Sequence, residues 1–223
     1  MIRQAVILAA GKGKRMEKDL PKPLLPLKGK PIIEHWIQSF LEAGVKDIIV
    51  VINPRDEKEF KTKLKKYNIN YCFQDEPLGT AHALFCAKDF IKDDLFFVVM
   101  GDDKIVHDLK KLMVGKPIIC GYEVDDVSRF GCIKMQNGKF DQIVEKREHG
   151  RGLANAGVYV MPKDFFKIYQ KIPKDERSGE YFLTHAPKIL KDEMNYRFEV
   201  VKLDFWFGIN TPSDLNIANH LTR

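Results

Sequence analysis

Short β-branched and aliphatic runs alternate with segments of helical periodicity from the N-terminus to Met100, and this alternation constrains the fold more than any other feature of the chain. Gln4 to Ala9 reads as a buried strand that ends in a glycine loop at Gly11 and Gly13. From Pro31 the positions Ile32, Ile33, Trp36, Ile37, Phe40 and Leu41 mark a helix, with Pro31 suited to its first turn and Gly44 to its C-terminal cap. A strand from Asp47 to Ile52, a charged helix from Asp56 to Lys66, a strand near Asn70 to Phe73, a helix opened by Thr80 and an apolar strand from Leu95 to Met100 continue the series. Strands alternating with helices imply a mostly parallel sheet covered by helices.

The second half is richer in strands: Pro117 to Tyr122, Gly131 to Met135, Phe140 to Val144 and Ala156 to Val160, with Asn137-Gly138 as a hairpin turn. Helical stretches follow near Asp164 to Tyr169, Phe182 to Lys191 and Ser213 to Leu221, with one strand expected between Phe198 and Phe207. No internal repeat, low-complexity tract or long linker interrupts the 223 residues, so the β-rich half is expected to extend the same sheet.

Lys and Arg exceed Asp and Glu by 37 to 31, which favours phosphate-bearing ligands without demanding a polyanion. Clusters such as Lys61, Lys63, Lys65 and Lys66 also fit the wet face of a helix, and no feature calls for nucleic acid. Cys72, Cys86, Cys120 and Cys132 lie too far apart for a close-paired zinc or redox motif and are expected as reduced thiols. The start of the chain lacks the zones of a secretion signal and no apolar run reaches membrane-spanning length, so a soluble, cytoplasmic protein is expected, with self-association left open.

The first chemical candidate is Leu8-Ala9-Ala10-Gly11-Lys12-Gly13-Lys14-Arg15-Met16, followed by Pro21-Lys22-Pro23. A glycine loop after a strand leaves backbone N–H groups free to face a polyphosphate, and Arg15 and Lys22 supply charge to it. No glycine-lysine pair followed by Ser or Thr closes the turn, which excludes a P-loop, and Met16 stands where a dinucleotide fingerprint has its third glycine. On spacing alone the segment is equally a tight strand-to-helix turn with solvated lysines. Asp102 follows the apolar run Leu95 to Met100, at the end of a strand where open α/β sheets bind ligands; read alone, it also fits a turn cap in Gly101-Asp102-Asp103-Lys104.

Together, Leu8 to Met16 and Pro21-Lys22-Pro23 resemble the signature loop and lysine of the sugar-1-phosphate nucleotidyltransferases, most nearly the uridylyltransferase domain of the N-acetylglucosamine-1-phosphate enzymes. Six further segments are similar to that family and in its order: Gln74 to Ala83, Gly101-Asp102, Phe130-Gly131, Val144-Glu145-Lys146, Asn155 to Tyr159, and Gly179 to Thr184. The likeness covers nearly the whole chain. It implies a Rossmann-like, mixed but mostly parallel sheet flanked by helices, of the nucleotide-diphospho-sugar transferase (GT-A-like) kind. One domain is expected, with residues 1–115 as its nucleotide-binding half and residues 116–223 as its sugar-phosphate half. The left-handed β-helix that many relatives append is not expected, nor the second activity it would carry.

The same resemblance implies roles for individual residues. Gly11, Gly13 and Arg15 would lie on the triphosphate, Leu8 and Ala10 would belong to the nucleotide site with them, and Lys22 would lie between the nucleotide and sugar phosphates. Gln74, Gly79 and Thr80 would surround the base; Gln74 has the donor and acceptor suited to the edge of a uracil or thymine, although alone it reads as a surface residue and Gly79 as a turn glycine. Gly131, Glu145, Asn155 and Gly157 would surround the sugar. Magnesium would be held by Asp102 and a second ligand, where the chain departs from many relatives: Trp206-Phe207-Gly208-Ile209-Asn210-Thr211 has glycine in the usual aspartate slot. Asn210, two residues along and on the same face of an extended chain, is the choice, with Asp204 as the fallback.

The implied reaction joins UTP, or dTTP, to glucose 1-phosphate or N-acetylglucosamine 1-phosphate and releases pyrophosphate. Arg15, Lys22 and Asp102 would be its catalytic residues. His82 is expected to make a local polar contact and is given no role. The alternatives are a nucleotide- or sugar-binding regulatory module and a structural partner subunit on the same fold; retention of Arg15, Lys22 and Asp102 argues against both.

Overall fold

A computed structural model of the protein describes residues 2–11, 20–145 and 148–221. The strands are β1 (Gln4–Leu8), β2 (Pro26–Leu27), β3 (Lys30–Pro31), β4 (Asp47–Ile52), β5 (Asn70–Phe73), β6 (Leu95–Met100), β7 (Asp103–Val106), β8 (Ile118–Val124), β9 (Gly131–Gln136), β10 (Lys139–Glu145), β11 (Gly152–Pro162), β12 (Glu199–Lys202) and β13 (Phe205–Gly208). The helices are α1 (Ile32–Glu42), α2 (Glu57–Lys63), α3 (Thr80–Cys86), α4 (Phe165–Ile168), α5 (Ala186–Met194) and α6 (Pro212–His220). No described helix is long and apolar enough to cross a membrane.

Among the described residues, β6-β1-β4-β5 run parallel, and β11 turns the nine-stranded sheet antiparallel on the far side of β6. The sheet is therefore mixed and flanked by helices. Side-chain alternation assigns its two faces. Ala5 and Ile7 of β1 pack with Ile37, Phe40 and Phe60 from α1 and α2, whereas Val6 and Leu8 pack with Ala81, Leu84, Phe165 and Leu190 from α3, α4 and α5. Each fully buried Phe of this core contributes about 1.5–3 kcal/mol relative to exposure.

The β-rich half does extend the same sheet, through β11, β8, β9, β10 and β12. Asn137 and Gly138 both take positive φ, +50° and +71°, as the expected tight hairpin requires. One expectation is corrected: the stretch from Phe198 to Phe207 is not one strand. Its first part, β12, pairs with β8 in the main sheet, and its second, β13, pairs with β7 in a separate two-stranded ribbon. The break lies at Leu203 and Asp204, where Leu203 is anchored in the core and Asp204 is exposed.

The connectivity also places a crevice. From β1 the chain moves through β4 and β5 on one side, then returns to β6 on the other, so the connections diverge at the carboxyl ends of β1 and β6. Open α/β sheets bind ligands at such a point. Leu8 and Met100 are paired there.

Candidate active site

Two cavities, each of about 490 Å³, adjoin at this crevice and share Thr80, Met100 and Asp102 in their walls. The first is lined by Leu8, Ala10, Gly11, Lys22, Gln74, Gly79 and Thr80, the positions expected at the nucleotide. Gly13 and Arg15 lie outside the described residues. Ser178, Gly179 and Glu180 also line it; Gly179 and Glu180 belong to the family-like segment Gly179 to Thr184, but none of the three carried an expected role.

Gln74 is 3% exposed, and its backbone N–H continues the β4–β5 ladder by donating to the Ile52 carbonyl at 2.9 Å. Its side-chain Nε2 lies 3.1 Å from the Gly79 carbonyl and 2.9 Å from His82 Nδ1. The donor end of this amide is thus engaged by the protein, so the expectation that both ends read a base is narrowed to the carbonyl end. Gly79 has φ +102°, and a Cβ there would stand 2.6 Å from the Tyr181 carbonyl oxygen and 2.7 Å from its nitrogen. Close approach at Gly79 is thus already used within the protein. Tyr181 N–H donates to the Leu78 carbonyl, Ala81 N–H donates to the Tyr181 carbonyl, and Leu183 N–H donates to Thr80 Oγ1, which fastens the loop before α3 to the loop before α5.

The second cavity is lined by Gly131, Glu145, Asn155 and Gly157, the positions expected at the sugar, together with Asn210. Gly131 and Glu145 are cross-strand partners in β9 and β10. Asn155 and Gly157 sit where β11 loses its regular pairing with β8, between Asn155 and Tyr159, at the level of the end of β6. Gly157 takes φ +67°, its N–H donates to Asn155 Oδ1, and Asn155 Nδ2 donates to Tyr159 Oη at 2.6 Å. This irregularity re-aims the strand beside the cavity. Burial pushes the Tyr159 phenol upward, so it remains a neutral hydroxyl. Thr184 also lines this cavity; it ends the family-like segment Gly179 to Thr184 but carried no expected role, and its Oγ1 is buried without a hydrogen-bond partner. A buried hydroxyl in that position is suited to a ligand that completes its bonding.

At the junction Lys22 Nζ lies 2.6 Å from Asp102 Oδ2, with the lysine side chain 9% and the aspartate 35% exposed. Lys22 opens a 3-10 turn that leads into Leu25 and Leu27, and these pack with Ile32, Ile209, Leu215 and Ala218 in a small core of their own. That core fixes both Lys22 and the end of the chain segment bearing Asn210. The β7–β13 ribbon performs the same task for Asp102 and Asn210, because it pairs Asp103 with Gly208. The Asp103 carbonyl accepts from Trp36 Nε1 and its Oδ2 accepts from Trp206 Nε1. Burial, followed by the charge of Asp102, holds the Asp103 carboxyl above the usual carboxylate range against the opposing pull of Lys22 and Trp206. Asp204 lines neither cavity and instead faces His107 Nδ1 at 3.1 Å.

Asp102 and Asn210 present a carboxylate and an amide to one cavity, a hard oxygen set suited to magnesium. Among the described residues no three His, Cys, Asp or Glu side chains converge, so a cation here would draw most of its shell from phosphates and water.

The sequence profile of the nucleotidyl transferase family matches residues 4–223. The chain is 34% identical over 224 residues to the bifunctional protein GlmU of Methanococcus maripaludis, a match covering 97% of this chain and 53% of that one. It is 31% identical over 232 residues to mannose-1-phosphate guanyltransferase 2 of Candida glabrata, covering 95% and 62%. The chain thus spans about half the length of the GlmU proteins it matches. Among solved structures it superposes with TM-score 0.87 and 25% identity on a Bacillus anthracis protein provisionally assigned as a glucose-1-phosphate thymidylyltransferase, over 99% of this chain and 95% of that one. It superposes with TM-score 0.73 and 27% identity on HddC of Yersinia pseudotuberculosis in complex with GMP-PN, over 98% of each chain. A profile match that begins at the first strand and runs to the last residue, on a sheet shared with these solved relatives, makes this chain a member of the nucleotidyl transferase family.

Proposed function

We propose that the chain condenses a nucleoside triphosphate with a sugar 1-phosphate, giving a nucleotide sugar and pyrophosphate. UTP is the favoured nucleotide and dTTP the second, with a sugar of the glucose or N-acetylglucosamine type. The observation that carries this reading is the meeting of two cavities on the Lys22–Asp102 pair: two phosphate-bearing ligands lying in them would bring their phosphates to one ammonium and one carboxylate. The names of the Candida glabrata and Bacillus anthracis relatives both describe nucleotidyl transfer to a sugar 1-phosphate, with different bases and sugars, so they support the class of reaction rather than one substrate pair.

In this reading an oxygen of the sugar phosphate attacks the α-phosphorus in line, the bond from that phosphorus to the bridging oxygen breaks, and pyrophosphate departs with the electron pair. A phosphate monoester has a second pKa of about 6, so the nucleophile is ionised at neutral pH and needs no general base. Lys22 lowers the repulsion between the two phosphate groups, and Arg15, carried here from the family resemblance, would do the same on the triphosphate. Gly11 and Ala10 bring the backbone to the triphosphate, while Glu145 and Asn155 orient the sugar hydroxyls. Asp102 and Asn210 would hold magnesium, which supplies charge neutralisation at the transferring phosphate when bound.

The test is pyrophosphate release with Mg²⁺, each nucleoside triphosphate crossed against a panel of sugar 1-phosphates. Turnover with a uridine or thymidine nucleotide is expected. Asp102→Ala should lower it about 10²–10³-fold while the protein stays folded. Undiminished magnesium-dependent turnover in that variant would remove Asp102 from the metal site, and nucleotide binding without turnover across the panel would replace the enzyme by a binding module.

A further inference from the structure

We infer that His82, acting through the amide of Gln74, determines which bases the first cavity accepts: together with the Gly79 carbonyl it takes both donors of that amide, leaves only a hydrogen-bond acceptor facing the base, and so selects bases with a ring N–H at their pairing edge. The inference rests on the reading of that cavity as the nucleotide site.

The argument starts from Gln74 Nε2, which lies 3.1 Å from the Gly79 carbonyl oxygen and 2.9 Å from His82 Nδ1. A carbonyl oxygen only accepts, so the Gln74 atom facing Gly79 must be the NH₂ group. Turning the amide over would set two oxygens against each other at that distance. With the orientation fixed, the second N–H points at His82, and His82 Nδ1 must accept. The imidazole is therefore the neutral tautomer with its hydrogen on Nε2, which faces Cys86 Sγ at 4.0 Å. His82 is itself held on α3, with its ring 6.4 Å from that of Tyr169.

Both donors of the Gln74 amide are thus used within the protein, and the one group left for a ligand is Oε1. Gln74 lines the cavity, and no protein donor to Oε1 is found among the described residues. An acceptor fixed in this way pairs with the ring N–H of uracil, thymine or guanine. It meets a lone pair on the corresponding ring nitrogen of cytosine or adenine. Without His82 the Gly79 carbonyl alone would hold the amide; an amide that turned or shifted would offer its NH₂ to cytosine, and the discrimination would fall. His82 is a positioning residue: it acts through Gln74.

The experiment measures dissociation constants of UTP and CTP with Mg²⁺ for the unaltered protein, His82→Leu and His82→Asn. Asparagine is chosen because its Oδ1 stands close to the place of Nδ1 and can accept. The unaltered protein should prefer UTP, His82→Leu should lose about tenfold of that preference, and His82→Asn should recover most of it. An unchanged preference in His82→Leu, or equal losses in both variants, would overturn the inference, as would CTP binding as tightly as UTP to the unaltered protein. Should His82→Leu fail to fold, the ¹⁵N spectrum of the imidazole in the unaltered protein decides, because a hydrogen on Nδ1 is incompatible with the arrangement. Binding is the readout, so the two readings fail separately: UTP bound without pyrophosphate release ends the proposed reaction and leaves the preference measurable, whereas no nucleotide binding at all ends the cavity reading and this inference with it.

Discussion

At the scale of single residues, the site depends on backbone that only glycine can supply. Gly79 combines a left-handed φ of +102° with a Cβ position 2.6–2.7 Å from the backbone of Tyr181. Gly79→Ala therefore meets strain and a clash with main chain that cannot swing aside, at a cost of about 1–3 kcal/mol or more. The urea midpoint should fall accordingly, and nucleotide affinity should fall with it, because the Gly79 carbonyl is one of the two groups that hold Gln74. An alanine variant with unaltered midpoint and affinity would show that the two loops can separate freely. Gly79 was legible alone as a turn glycine and, through the family-like segment Gln74 to Ala83, as a site position, but its partner was not. Nothing in the sequence near Gly79 announces Tyr181.

Secondary-structure elements explain how Asn210 is presented. α6 starts with a capping box in which Thr211 accepts from the Asp214 N–H, and Asp214 Oδ2 accepts from the N–H groups of both Thr211 and Asn210. Pro212 occupies the first turn, where its missing N–H costs nothing. The helix cap and the proposed metal ligand are thus fastened by one carboxylate. Asp214→Ala should lower stability by about 1 kcal/mol through the lost cap. It should also raise the Mg²⁺ concentration for half-maximal pyrophosphate release about tenfold, through loss of the support behind Asn210. A fall in thermal midpoint with no change in magnesium dependence would limit Asp214 to capping and weaken the assignment of Asn210.

On the scale of the whole molecule, the sheet separates function from anchorage. The cavities lie at the carboxyl ends of β1 and β6, while at the amino ends of the same strands Asp93 accepts from the Arg3 backbone N–H and guanidinium, both at 2.8 Å, and ties the start of β1 to the turn before β6. Burial raises the Asp93 carboxyl, but the bonds and charge of Arg3 outweigh it and hold the group below the usual carboxylate range. A carboxylate lowered on folding stabilises above its unfolded pKa of about 4, and that stabilisation is lost as the pH falls through the lowered value. Asp93→Asn should therefore be less stable than the unaltered protein near neutral pH, with the gap narrowing in acid, and should leave turnover unchanged. A gap of the same size at both ends of the pH range would remove Asp93 from the acid response. The sequence by itself determined the strand and helix alternation and the Asn137-Gly138 hairpin, because side-chain period and turn chemistry are local properties of the chain. It also carried, through the ordered family-like segments, the residues that the fold gathers around the two cavities. Only the tertiary structure decided that the stretch from Phe198 to Phe207 divides between two sheets, that the β7–β13 ribbon sets Asp102 and Asn210 on one cavity, and that His82 and Gly79 hold the Gln74 amide. These depend on pairings between distant segments, fixed by the packing of Trp36 and Trp206 on Asp103 and of Tyr181 on Gly79, and no local period encodes them.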